Sequence, residues 1–216
     1  MDKRFSSIIF DWDGTLAMTL HLWLAGYRHE LKKLDCNLSD QIIADDFFYE
    51  HDKAAVKYPA VDFGPFNERV RTHVLSHVQQ LQTYPGAHEM LEKLERHDIK
   101  LSLVSSSSRS LLKEGLERTG LGQFFQTIVA GDDVMRHKPD PEPFNQAVEV
   151  AGFSKDTTLI LGDSHNDIVA AKAAGIASCL FLPEENELFY DFEKLRSTNP
   201  DYCIEDLNHF AEVLLS

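Results

Sequence analysis

The sequence predicts an α/β chain, with a parallel β-sheet core flanked by helices and an all-helical insertion near its start. Three observations carry that prediction. From residue 86 onward short apolar runs alternate with helical stripes, the pattern of βαβ units. Another short apolar run stands near the N-terminus, far ahead of the rest. Between the two, the apolar residues recur with a helical period.

Taken in order, Phe5 to Phe10 ends in Ile8-Ile9-Phe10, is stopped by a polar glycine-containing turn, and reads as a buried strand. Leu16, Leu20, Leu24, Tyr27, Leu31 and Leu34 then recur at three and four residues, one face of an amphipathic helix. A second helical stripe, Phe66, Val70, Val74, Val78 and Leu81, follows a Gly64-Pro65 breaker, and Tyr84-Pro85-Gly86 punctuates the chain. Residues 16–84 are therefore expected to be an inserted helical domain, and residues 1–15 and 85–216 the core. Helices are expected around Met90 to Leu94, over Leu111 to Leu116 ending at Gly120, over Phe144 to Val150 ahead of Gly152, and over Ile168 to Ala174 capped by Gly175. Strands are expected at Ile99–Val104, Thr127–Ala130, Thr157–Leu161 and Ser178–Leu182.

The 216 residues suffice for one full domain with a sizeable insertion. With 21 Lys+Arg against 35 Asp+Glu the net charge is −14, which argues against nucleic acid as a partner. No apolar run approaches the roughly 20 residues of a membrane helix. The stretch before Asp11 is too short for the apolar region of a signal peptide. Cys36, Cys179 and Cys203 are few and scattered, so a reducing cytoplasm is the expected location.

In open parallel sheets ligands bind beyond the carboxyl ends of the strands, so the residues just after each strand carry the chemistry. They are Asp11-Trp12-Asp13-Gly14-Thr15, then Ser105 and Ser106, then Gly162-Asp163-Ser164-His165-Asn166-Asp167, with Lys138 before the last set. Crowded carboxylates need a cation, and an oxygen-only ligand set favours Mg²⁺, with Asp11, Asp13, Asp163 and Asp167 as candidate ligands. Lys138, Ser105, Ser106 and the Gly14 turn suit a tetrahedral phosphoryl group. The Gly14 turn is expected to aim Asp11 and Asp13 at one phosphorus.

These motifs in this order (DxDGT, a strand ending in Ser, Lys-Pro, GDSxxD) resemble the haloacid dehalogenase-like (HAD) hydrolase superfamily. The helical insertion resembles its C1-capped branch, which includes phosphoglycolate phosphatases and β-phosphoglucomutases. The resemblance covers residues 5 to about 183 and implies a Rossmann-like core under a helical cap. It implies that Asp11 is the nucleophile and forms an aspartyl-phosphate, and that Asp13 is the acid and base. Mg²⁺ would be held by the Asp11 and Asp163 carboxylates and the Asp13 backbone carbonyl, with Asp167 orienting that shell. Ser105 and Lys138 would hold the phosphoryl group. The implied activity is that of a phosphatase acting on a small phosphorylated metabolite, with no nucleic acid or membrane partner, as a monomer or homodimer. A phosphosugar mutase and a non-catalytic phosphate-binding protein stay open as alternatives.

Plainer readings stand beside these. Asp163 and Asp167 could serve as a helix N-cap and first-turn acid, and the serine run 105–108 as a capping stretch. The Trp, Leu and Tyr stripe of the first inserted helix is expected to be cap core, and His165 exposed on its turn. Gly14 at the fourth position rules out a calcium loop, and Lys33 at the fifth rules out a zincin helix from His29. The sequence departs from many family members at Ala17-Met18-Thr19, where an acid often stands. Arg28, His29, His51, Lys53, Lys57, Arg69 and His73 are the candidate substrate contacts from the insertion.

Overall fold

The computed structural model describes residues 5–48 and 51–215. Six strands, β1 (Ser7–Phe10), β2 (Lys100–Val104), β3 (Thr127–Val129), β4 (Thr158–Gly162), β5 (Ala177–Phe181) and β6 (Tyr202–Ile204), form one sheet. Their order is β3-β2-β1-β4-β5-β6 and every pairing is parallel. Strand side chains alternate between the faces. Ile8 and Phe10 pack on one side with Leu101, Leu103, Leu159 and Leu161, while Ile9 packs on the other with Val104 and Ile160. Both faces are thus apolar, which is why the strands read as continuous hydrophobic runs.

Between β1 and β2 lie α1 (Leu20–Lys32), α2 (Asp40–Phe47), α3 (His51–Lys57) and α4 (Phe63–Ser76). They share a further apolar cluster, built on Leu20, Leu24, Tyr27, Leu31, Ile43, Phe47, Phe66 and Val70 and joined by Phe189. Around the sheet stand α5 (Ala87–Arg96), α6 (Arg109–Thr119), α7 (Glu142–Ala151), α8 (His165–Ala174), α9 (Phe192–Arg196) and α10 (Leu207–Leu215). Helices α5, α6 and α10 cover the Phe10 face, and α7 and α8 cover the Ile9 face. Among the described residues no helix is long and apolar enough to cross a membrane.

Several expectations shift. The first inserted helix begins at Leu20, not Leu16, because residues 14–19 fold into a tight turn in which the Leu16 and Ala17 amides donate to the Trp12 carbonyl at 3.1 and 3.0 Å. Leu16 belongs to the sheet core, and Leu34 lies past the helix and is exposed. Ala17 pairs with Thr83, Met18 N–H donates to the Gln82 carbonyl, and Tyr84 N–H donates to that of Leu16, so the chain enters and leaves the helical block side by side. Gly64-Pro65 does not break a helix. It sits in the first turn of α4, where the missing proline N–H has no intrahelical partner to lose. Helices α2 and α3 had no predicted counterpart, each being too short to show a period. The expected stripe beyond α4 also divides, since Val78 and Leu81 join the sheet core.

The last thirty residues, which no motif covered, complete the sheet and its Phe10 face. Phe210 of α10 is fully buried in that cluster. Phe210→Ala is expected to destabilise the chain by about 3–5 kcal/mol, from lost burial plus the cavity left behind. A lowered urea midpoint with an unchanged slope would show it.

Candidate active site

Strand β1 stands between β2 and β4, so the connections run one way to β2 and β3 and the other way to β4, β5 and β6. The crevice at this reversal lies beyond the carboxyl ends of β1 and β4. Asp11 directly follows β1 and Asp163 directly follows β4, which places both acids at its mouth. Lys138 comes from the loop ahead of α7 and Asp167 from the first turn of α8.

Lys138 ties the acids together. Its Nζ donates to Asp11 Oδ1 at 2.5 Å and to Asp167 Oδ1 at 2.6 Å, with side-chain exposures of 5%, 7% and 0%. The other oxygen of Asp167 closes the first turn of α8, accepting from the Ser164 amide at 3.1 Å and its hydroxyl at 2.5 Å. Ser164, rather than Asp163, is the N-cap. Asp163 is left to the crevice, where Asp11, Asp163 and Asp167 each bring a carboxylate oxygen within 4.8 Å of the others.

Three carboxylates face one ammonium, so the cluster carries surplus negative charge. The Asp11 carboxyl is pushed up to about 7: burial raises it most, Lys138 pulls it down, and Asp167 and Asp13 add to the rise. Burial, then Asp11 and Asp167, hold Asp163 well above the usual carboxylate range. Burial also works against the charge on Lys138, but Asp11 and Asp167 outweigh it and keep the ammonium above the ordinary lysine range. Buried, oxygen-only and short of positive charge, this donor set fits a hard divalent cation such as Mg²⁺.

Asp13 occupies a different network. Trp12, between the two acids, is 1% exposed in the sheet core, and Asp11 and Asp13 turn the other way. Two residues apart on an extended chain, they face alike without help from Gly14. What Gly14 permits is close approach: at φ +82° it carries no Cβ, and one would stand 2.0 Å from Asp163 Oδ2. Asp13 Oδ1 accepts from Thr19 Oγ1 at 2.7 Å and Trp23 Nε1 at 3.1 Å. Its Oδ2 accepts from Ser105 Oγ at 3.1 Å and Ser107 Oγ at 2.8 Å. Trp23 is thus more than packing of the helical block, and Ser107 joins Ser105 on the acid while Ser106 is exposed. His165 is exposed on its turn, as expected.

The family profile of haloacid dehalogenase-like hydrolases matches residues 8–181. The chain belongs to this family. This HAD hydrolase is 32% identical over 215 residues to the pyrophosphatase PpaX of Oceanobacillus iheyensis, covering 96% of each chain. It is 28% identical to PpaX of Bacillus velezensis, covering 98% of this chain and 97% of the other. In fold it is similar to a Lactobacillus plantarum protein provisionally named a phosphoglycolate phosphatase, with TM-score 0.84 and 22% identity, covering 97% of this chain and 99% of that one. A HAD family hydrolase of Deinococcus radiodurans, solved with bound phosphate and sodium, superposes with TM-score 0.79 at 21% identity, covering 97% and 94%.

Other polar groups of the HAD hydrolase crevice went unread in the sequence. Asp163 Oδ1 accepts from Thr15 Oγ1 at 3.1 Å, and its Oδ2 from Tyr190 Oη at 2.7 Å. Asn186, 1% exposed, donates to the Gly14 carbonyl at 3.0 Å. Asn186 and Tyr190 follow no motif, and only the fold brings them to the site. The helical block's candidate contacts are largely engaged elsewhere. Arg28 pairs with Asp40 at 2.6 Å, Lys57 with Asp46 at 2.6 Å and Arg69 with Glu30 at 2.8 Å, while the His29 and His73 rings lie 4.6 Å apart. The side chains of His51 and Lys53 lie outside the described residues.

An acid whose pKa rises on folding binds more protons folded than unfolded between the two values. For Asp11 that window runs from 3.8 to about 7, so its stabilising contribution is present below the window and is lost as pH rises through it. In chelator, the thermal midpoint of Asp11→Asn relative to the native chain should therefore climb across this window. Parallel curves would remove the surplus-charge account.

Proposed function

We propose that the chain is a Mg²⁺-dependent phosphatase that hydrolyses a small phosphorylated metabolite through an aspartyl-phosphate on Asp11. The observation that carries this reading is the Lys138 ammonium held between Asp11 and Asp167, with Asp163 alongside. Such a cluster is costly unless it serves a charged ligand. In the same reading residues 16–84 are a cap domain over a core of residues 1–15 and 85–216, supported by the apolar cluster that its residues from Leu20 to Val70 build apart from the sheet core. The free cysteines Cys36, Cys179 and Cys203 accord with work in the cytoplasm.

The steps follow from the side chains. An Asp11 oxygen attacks phosphorus in line with the departing oxygen, and the ester bond breaks as the aspartyl-phosphate forms. Lys138 holds the charge of Asp11 and of the transferring group, and Ser105 and the amide of Ser106 hold its remaining oxygens. Asp13 gives a proton to the leaving oxygen, then takes one from the water that cleaves the intermediate. To do so it must exchange the donors it now accepts from, Thr19, Trp23, Ser105 and Ser107, for substrate. Asp11, Asp163 and the Asp13 carbonyl would hold Mg²⁺, with Asp167 orienting them, and the bound cation would supply neutralising charge for the carboxylates and a phosphoryl oxygen.

Pyrophosphate is a second substrate candidate, favoured by 32% identity to a pyrophosphatase across nearly the whole chain. Turnover of pyrophosphate, phosphorylated acids, phosphorylated sugars and an aryl phosphate, with and without Mg²⁺, tests the function and ranks the substrates. Asp11→Asn should abolish turnover of all of them in a folded protein; activity near that of the native chain would overturn the aspartyl-phosphate route. Asp13→Ala should lower kcat by about 10²–10⁴-fold on poor leaving groups and far less on a nitrophenyl ester. Equal losses on both would reduce Asp13 to a structural part.

A further inference from the structure

The segment after β5 touches the crevice and the helical block at once. Pro183 opens it, and a short turn at Glu184–Asn186 follows. Asn186 donates to the Gly14 carbonyl at 3.0 Å, lies 3.4 Å from Asp163 Oδ2, and accepts from the Tyr84 hydroxyl at the exit of the insertion. The backbone then curls back, Phe189 and Tyr190 amides both donating to the Asn186 carbonyl, at 2.9 and 3.2 Å. Those bonds fix the relative directions of the next two side chains. Tyr190 points at Asp163, donating to Oδ2 at 2.7 Å. Phe189 is 6% exposed inside the apolar cluster of α1, α2 and α4, against which the Tyr190 ring also packs. The Phe189 ring lies 4.9 Å from that of His21 and 5.0 Å from that of Phe48.

We propose that residues 183–190 form a positioning strap that aims the Asp163 carboxylate at the metal according to how Phe189 is seated in the helical block. A carboxylate at a strand end can rotate about its own bonds. Thr15 directs one lone pair of Oδ1 and leaves the other for a cation, while Tyr190, with Asn186 Nδ2 beside it at 3.4 Å, fixes Oδ2 and so the angle of the whole carboxylate. The Tyr190 hydroxyl can hold that angle only while its backbone is held, and the backbone is held by Asn186 on one side and Phe189 on the other. The helical block and the metal ligand are therefore linked, and linkage is reciprocal: a seated Phe189 strengthens metal binding, and bound metal favours the seated block. Tyr190, Asn186 and Phe189 are positioning residues, since none reaches the reacting atoms.

This inference rests on Asp163 being a metal ligand, and the test separates the two. Mg²⁺ alone is titrated calorimetrically into the metal-free chain, its Tyr190→Phe and Phe189→Ala variants, and the double variant. The metal-free thermal midpoint reports any general loss of structure. Tyr190→Phe should raise the Mg²⁺ dissociation constant about tenfold, the usual size of such an indirect effect, while leaving the metal-free midpoint within a few degrees. Phe189→Ala should also weaken Mg²⁺, and the double variant should bind no more weakly than Tyr190→Phe, because both changes act through one hydrogen bond. If Phe189→Ala does not fold, Phe189→Leu takes its place with a smaller shift of the same sign. Unchanged or tighter Mg²⁺ binding in Tyr190→Phe, no effect of the Phe189 change, or additive losses would each overturn the strap. A native chain that binds no Mg²⁺ would overturn the metal reading and the strap with it.

Discussion

The ammonium of Lys138 between Asp11 and Asp167 is the contact on which the rest of the crevice depends. Without it three acids would converge on buried space with no cation of the protein's own. Burial alone raises the energy of each charge, and at these separations the acids also repel one another. One lysine relieves part of this and leaves a deficit, so the protein folds with a site that still favours a further positive charge. The same lysine explains why α8 begins where it does. Asp167 spends one oxygen on Lys138 and the other on the Ser164 turn, so the helix start and the charge cluster are built by one side chain.

Close approach is the second requirement, and glycine supplies it twice. A side chain at Gly14 would collide with Asp163, and one at Gly162 would meet the Asp167 carboxyl carbon at 2.4 Å. The acids can crowd to the separations seen only because the chain beside them has no Cβ. A parallel sheet with its reversal between β1 and β4 brings these glycines and acids together from sequence positions about 150 apart.

Much of this was legible in the sequence, for a physical reason. A sheet buried on both faces writes apolar runs into the chain, and the polar residue that ends each run marks the crevice. Asp11, Ser105 and Asp163 could be found that way, Lys138 by its place in the order of motifs, and Asp167 by its place in a helix start. The donors on Asp13 could not, since Thr19, Trp23 and Ser107 look like a helix start, an apolar stripe and a serine tract until the fold turns them inward. Asn186 and Tyr190 were hidden more deeply. They lie beyond every motif, and only the curl of the chain after β5 brings them back to Gly14 and Asp163. The start of the first inserted helix was misjudged at Leu16 because helical spacing continued into a residue that packs on the sheet.

The pairing of Ala17 with Thr83 has a consequence for the architecture as a module. The two ends of the helical block leave the sheet as neighbours, so a few residues could bridge them where the block now stands. Loop-closure entropy grows only slowly with length, so exchanging a long excursion for a short one changes the folding free energy of the sheet little. Such a doorway lets a lineage lengthen, shorten or replace the helical block while the crevice at the sheet keeps its shape. Chemistry and selectivity can then vary on separate parts of one chain.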